Sequence, residues 1–200
     1  MLIKKEVKLN QDNYLTNNFI NPSDVKRKKI NGKYVYEKFY LIDFLDIKEN
    51  SYIISSFGRV FSLILQKELK CSMDISRNNF KSVTLKCNNG KDCKFAIHRL
   101  VAYAFIPRTV TDKKLNRDYI HHKNYDNEYN YYWNLEWVSR FELDAINKIN
   151  NGIEDEEELV KIVCRLLEYG ETVGDIFRII NGKLSKFAIT KIKNIYRDFS

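Results

Sequence analysis

At His98 the hydrophobic pattern changes period, and this change limits the possible folds more than any other feature of the chain. Before it, "SYIISSFGRVFSLI", "FKSVTLKC" and "CKFAIH" are short stretches rich in β-branched and aromatic residues, separated by turn-prone asparagine and glycine. After it, "HRLVAYAFIP" sets Leu100, Val101, Ala104 and Phe105 at helical spacing, with Pro107 as a stop. Strands first and helices later predict an α+β chain that begins with a small antiparallel β region.

The turns support this division. Asn31-Gly32 lies between alternating segments and is a strong hairpin signal, so the sheet is expected to begin at about Tyr34. "NNG" at Asn88 to Gly90 marks a second hairpin, and Gly58 marks a bend or bulge between two strands. Residues 1–29 are polar, basic and aperiodic, which predicts a mobile arm. Beyond Pro107, "RTVTDKKLNRD" reads as a polar connector, and a helix is expected from Arg140 to Asn150 with Gly152 as its left-handed stop.

The last segment has the pattern of a helical module. Asp155 to Glu158 place negative charge at a helix start, and Leu159, Val160, Ile162, Val163, Leu166 and Leu167 give that helix an apolar face ending at Gly170. Thr172 and Asp175 have capping-box spacing for a short second helix through Ile180. Ser185 can cap a third, whose apolar stripe is Ala188, Ile189, Ile192, Ile195, Tyr196 and Phe199. Its other face carries Lys186, Thr190, Lys191, Lys193, Asn194 and Arg197, as expected of a helix-turn-helix that reads DNA; a solvated charged face is the plainer alternative.

Composition narrows the classes of function. The 200 residues are 44% hydrophobic, enough to bury a core, and no apolar run approaches the length of a membrane span. A secretion signal is also missing at the start, so a cytoplasmic location is expected. Cys71, Cys87, Cys93 and Cys164 include no C-x-x-C pair, which argues against a zinc ribbon and for reduced thiols, with a site at Cys87 and Cys93, which flank the turn "NNGKD", as the alternative. The formal charge of +8 favours a polyanionic partner.

Only three histidines occur, and two of them, His121 and His122, are adjacent in "YIHHKNYDNEYNYYWNLEWVS". Neighbouring side chains on a strand point to opposite sides, so the two rings must serve different ends. A neutral imidazole can take a proton from water at physiological pH, which is what phosphodiester hydrolysis requires of a general base.

This stretch resembles the core of the HNH endonucleases of the homing type found in phages and mobile introns. His122 falls on the motif's central histidine, Asn130 on the second asparagine of its pair, and Asn134, Leu135, Glu136 and Trp137 on its closing N-L-E-W. Upstream, "FAIHRLVAYAFIP" is similar to the segment that precedes this core, and "YIISSFGRVFSL" to a module associated with DNA binding in the same proteins. The resemblance implies a ββα-metal core at 95–152, a β-rich DNA-contacting region at 30–94 that includes Arg59, and a helix-turn-helix at 153–200.

It further implies a metal-dependent nuclease that nicks or cleaves double-stranded DNA, as a monomer with one Mg²⁺ or Mn²⁺ and no small-molecule substrate. His122 is then the general base, Asn134 positions or polarises its ring, His121 is a metal ligand, and Asn130 shapes the loop. Trp137 and Leu135 read as core, and His98 as structural. Two positions depart from the motif. Its aspartate-glycine pair is Asn124-Tyr125 here, which implies an altered turn, and Leu143 stands where a second metal ligand is expected, leaving Asp144 or Asn147 to substitute. The alternative is a catalytically degenerate relative that retains DNA binding in a regulatory or accessory role.

Overall fold

Asn31 and Gly32 both have positive φ, 47° and 79°, the signature of the tight turn their dipeptide favours. They join β2 (Arg27–Ile30) to β3 (Lys33–Tyr36) in register Arg27↔Tyr36, Lys28↔Val35, Lys29↔Tyr34 and Ile30↔Lys33. The computed structural model describes residues 6–7, 25–74, 79–153 and 155–198, without side chains at 6–7 and 196–198. The arm expected over 1–29 lies largely outside them, but Glu6–Val7 and its last residues, from Arg27, are strand.

The fold is α+β, as its sequence predicts. A five-stranded antiparallel sheet has the order β1 (Glu6–Val7), β4 (Phe39–Leu41), β5 (Tyr52–Ser55), β6 (Val60–Ser62), β7 (Lys67–Glu68). A three-stranded sheet places β9 (Phe80–Lys86) between β8 (Ser72–Asp74) and β10 (Asp92–Ala96). Helix α1 (Ile97–Phe105) buries Ile97, His98, Leu100, Val101 and Ala104, and packs on β5, β9 and β10. It ends at Ile106, in extended conformation before Pro107, because the residue preceding a proline is disfavoured in the helical region.

The supposed connector after Pro107 contains a short helix, α2 (Val110–Lys114), capped by a Thr109–Asp112 box. Next come β11 (Tyr119–His122) and β12 (Leu135–Val138), which form a two-stranded ribbon. Helix α3 (Arg140–Asn150) opens with a second capping box, Ser139 with Glu142, and Gly152 follows at φ +92°. Helices α4 (Glu156–Glu168), α5 (Val173–Ile179) and α6 (Lys186–Asp198) complete the chain, capped by Asp155, Thr172 and Ser185.

The chain divides into two compact units. One comprises residues 1–107 and 122–136, the other residues 108–121 and 137–200. In the second, Ile162, Val163, Leu166, Ile176, Ile179 and Ile189 form an apolar core, with Leu143 and Ile192 packed against it. Ile195, expected in the same stripe, is 52% exposed, so the buried face of α6 is shorter than its periodicity suggests. All four cysteines are free. Among the described residues, no helix is long and apolar enough to cross a membrane.

Candidate functional site

His122, the last residue of β11, is 3% exposed. Its Nε2 lies 3.0 Å from Asn130 Oδ1. Asn130 Nδ2 donates to the carbonyls of Asn127 (3.3 Å) and Glu128 (3.2 Å), which turns the amide oxygen towards the imidazole. An oxygen can only accept, so Nε2 carries the proton and, in the neutral ring, Nδ1 carries the basic lone pair. Asn130 therefore fixes the tautomer of His122.

The two loop asparagines have exchanged the places expected of them. Asn134 directs its amide within the loop: its Oδ1 accepts from the Asn124 amide (3.2 Å), and its Nδ2 donates to Asn124 Oδ1 (2.7 Å) and to the Tyr129 carbonyl (2.8 Å). The Lys123 amide donates to the Asn134 carbonyl, 2.8 Å. Asn134 thus pins both ends of the loop, while Asn130 addresses the ring. Spacing along a motif fixes where an asparagine falls, but not which way its amide turns.

Two backbone features shape this loop. Tyr125 occupies the left-handed region at φ +60°, and its amide closes a turn onto the His122 carbonyl (2.8 Å). Tyr125 thus takes a left-handed conformation that glycine adopts more readily. Gly58, at φ +82°, lies under the same loop: a Cβ there would stand 3.0 Å from Asn130 Cβ and 3.3 Å from Asn130 O. The Tyr132 amide also donates to the Ser56 carbonyl, 3.0 Å. The "SSFG" segment therefore abuts the histidine-bearing loop directly.

His98 and Phe80 complete the surroundings of His122. The Phe80 ring stacks on His122 at 5.9 Å and 17°, and His98 meets His122 edge-on at 5.3 Å. Burial, followed by His122 and Arg99, pushes His98 down to about 3, so its ring is neutral at physiological pH. Phe80 gave no signal in the sequence, because a lone aromatic at a strand start has many ordinary uses.

The remaining expected metal-site residues belong to the second unit. His121 is half-buried and belongs to the second unit, whereas His122 belongs to the first. Leu143 packs against the helical core, and Asp144 pairs with Arg140 at 3.2 Å. Asp144 and Asn147 line a cleft of about 370 Å³ with Phe141 and Arg165, and His121 is not one of its lining residues. Among the described residues no group of three or more His, Cys, Asp or Glu side chains could hold a metal ion.

Arg59, expected on DNA, donates through Nε to Glu37 Oε1 (2.9 Å) and pairs with Glu68 (3.1 Å). Its side chain is 13% exposed and Glu37 is fully buried, so the guanidinium compensates a carboxylate that burial would otherwise penalise. On α6, Lys186, Thr190, Lys191 and Asn194 are exposed and Lys193 is half-buried. Thr190 Oγ1 donates to the Lys186 carbonyl, 2.8 Å. The Arg197 side chain lies outside the described residues.

The chain matches no family model and no curated protein. Among solved structures it is similar to the HNH homing endonuclease I-HmuI, studied for DNA binding and cleavage, at 26% identity and a TM-score of 0.43. The match covers 60% of this chain and 64% of that one, less than two thirds of the neighbour's length.

Proposed function

We propose that the chain is a DNA endonuclease of the HNH type, with His122 as the general base. The observation that carries this reading is the His122 imidazole, buried and held through Nε2 by Asn130 within a loop whose sequence resembles the HNH core. In the reaction, Nδ1 takes a proton from a water molecule as its oxygen attacks a DNA phosphorus; the new P–O bond forms as the bond to the leaving sugar oxygen breaks, and that oxygen takes a proton from a second water molecule, whose hydroxide is neutralised by the imidazolium. Asn130 accepts from Nε2–H throughout, which steadies the imidazolium formed in the transition state. The exposed basic residues of α6 are suited to hold the duplex in helix-turn-helix fashion.

A second reading is favoured by Leu143 and by the Arg140–Asp144 pair: a protein that binds DNA without cutting it. Incubation of supercoiled plasmid with the full chain separates the two, in Mg²⁺, in Mn²⁺ and in chelator. Nuclease action is expected to relax the plasmid, and His122→Ala is expected to slow this by about 10²–10⁴-fold, the usual worth of a general base. Retained binding with no relaxation in any condition would favour the non-cutting protein. The cation arms also test the Mg²⁺ or Mn²⁺ requirement that the resemblance implies.

A further inference from the structure

The β2–β3 hairpin exposes nearly its whole length, although its turn and register are well formed. Cross-strand partners share a face, so Arg27, Lys29, Tyr34 and Tyr36 lie together on one side of the ribbon. All four are exposed, both tyrosines at 55%, and the Arg27 guanidinium lies 4.8 Å over the Tyr34 ring. No carboxylate stands on either strand. On the opposite side, Lys28 Nζ sits 4.0 Å over Tyr131, which stacks on Trp133 at 4.9 Å and 3°. Tyr131 directly follows Asn130, the residue that holds His122.

We infer that the outward face of this hairpin is a second DNA-contacting surface, which lies in the major groove of duplex DNA beside the phosphate offered to His122. A two-stranded ribbon fits that groove, about 12 Å wide. Two cations interleaved with two tyrosines complement a polyanion with accessible edges, and would leave four bulky side chains in water otherwise. Anchorage through Lys28 and Tyr131 ties the hairpin to the loop of the catalytic base, so docking of one registers the other. The inference rests on the DNA reading above and adds to it where the duplex is held.

The test is equilibrium binding of a fluorescein-labelled duplex of arbitrary sequence across a salt series, with a single-stranded oligonucleotide in parallel. Arg27→Ala/Lys29→Ala is expected to weaken duplex binding and to reduce the slope of log K against log salt by about 2, one for each phosphate no longer neutralised. Tyr34→Ala/Tyr36→Ala is expected to weaken binding at unchanged slope. Circular dichroism verifies the fold, and Arg27→Gln/Lys29→Gln, which keeps side-chain length, must reproduce the charge effect. A duplex slope equal to wild type, or a change confined to the single strand, overturns the hairpin's role while the DNA reading stands. A wild-type chain that fails to bind duplex even at low salt overturns both.

Discussion

Asn130 and Asn134 stand four residues apart in one loop, and their amides face different partners. Asn130→Ala removes the acceptor from His122 Nε2, so strand cleavage is expected to slow about 10-fold or more at unchanged duplex affinity, measured by single-turnover relaxation. Asn134→Ala leaves backbone groups of Asn124 and Tyr129 without their partner, and a loss of about 1–3 kcal/mol in denaturant unfolding is expected. At Tyr125 the left-handed backbone costs a non-glycine residue about 1–2 kcal/mol, and a β-branched residue more. Tyr125→Gly is therefore expected to be tolerated and Tyr125→Val to destabilise; equal melting temperatures for the two would refute the strain.

Between elements, the sharpest constraint is the approach of the β5–β6 turn to the His122 loop at Gly58. Gly58→Ala adds a Cβ 3.0 Å from Asn130 Cβ on a backbone at φ +82°, so a loss above about 1 kcal/mol is expected, with cleavage falling alongside it. In the helical unit, Arg117 is shared by Glu142 (2.9 Å), Glu171 (2.6 Å) and Asp112 (3.2 Å). Burial first, then Glu142, raise Glu171 to about 7 against the pull of Arg117. A carboxyl raised on folding stabilises most below its unfolded value and loses that contribution as pH rises through its folded value. Stability is thus expected to fall from about pH 5 to pH 8, and the slope to flatten in Glu171→Gln, read from urea midpoints. The hairpins, the caps at Thr172 and Ser185 and the stop at Gly152 were legible in the sequence because each depends on local backbone chemistry. Helix α2 was not, although its Thr109–Asp112 box has the same spacing as Thr172–Asp175, because no apolar stripe follows it: none of its residues is buried. The direction of the Asn130 amide, the Glu37 partner of Arg59 and the exposure of Ile195 are set by tertiary packing, which spacing does not encode.

At the scale of the whole chain, a charge of +8 predicts that the proposed DNA binding weakens with salt, and α6 should share in that dependence. Lys191→Ala/Lys193→Ala is expected to flatten the salt slope by up to about 2; an unchanged slope would remove α6 from the interface. His122 and Asn130 belong to one compact unit, Leu143 and Asp144 to the other. The tautomer of His122 is the point to measure. Two-bond ¹⁵N–¹H correlation spectra of ring-labelled protein should show the proton of neutral His122 on Nε2, and a mixed tautomer in Asn130→Ala. A proton found on Nδ1 in the native chain would mean that the nitrogen proposed to take a proton from water has no lone pair to offer.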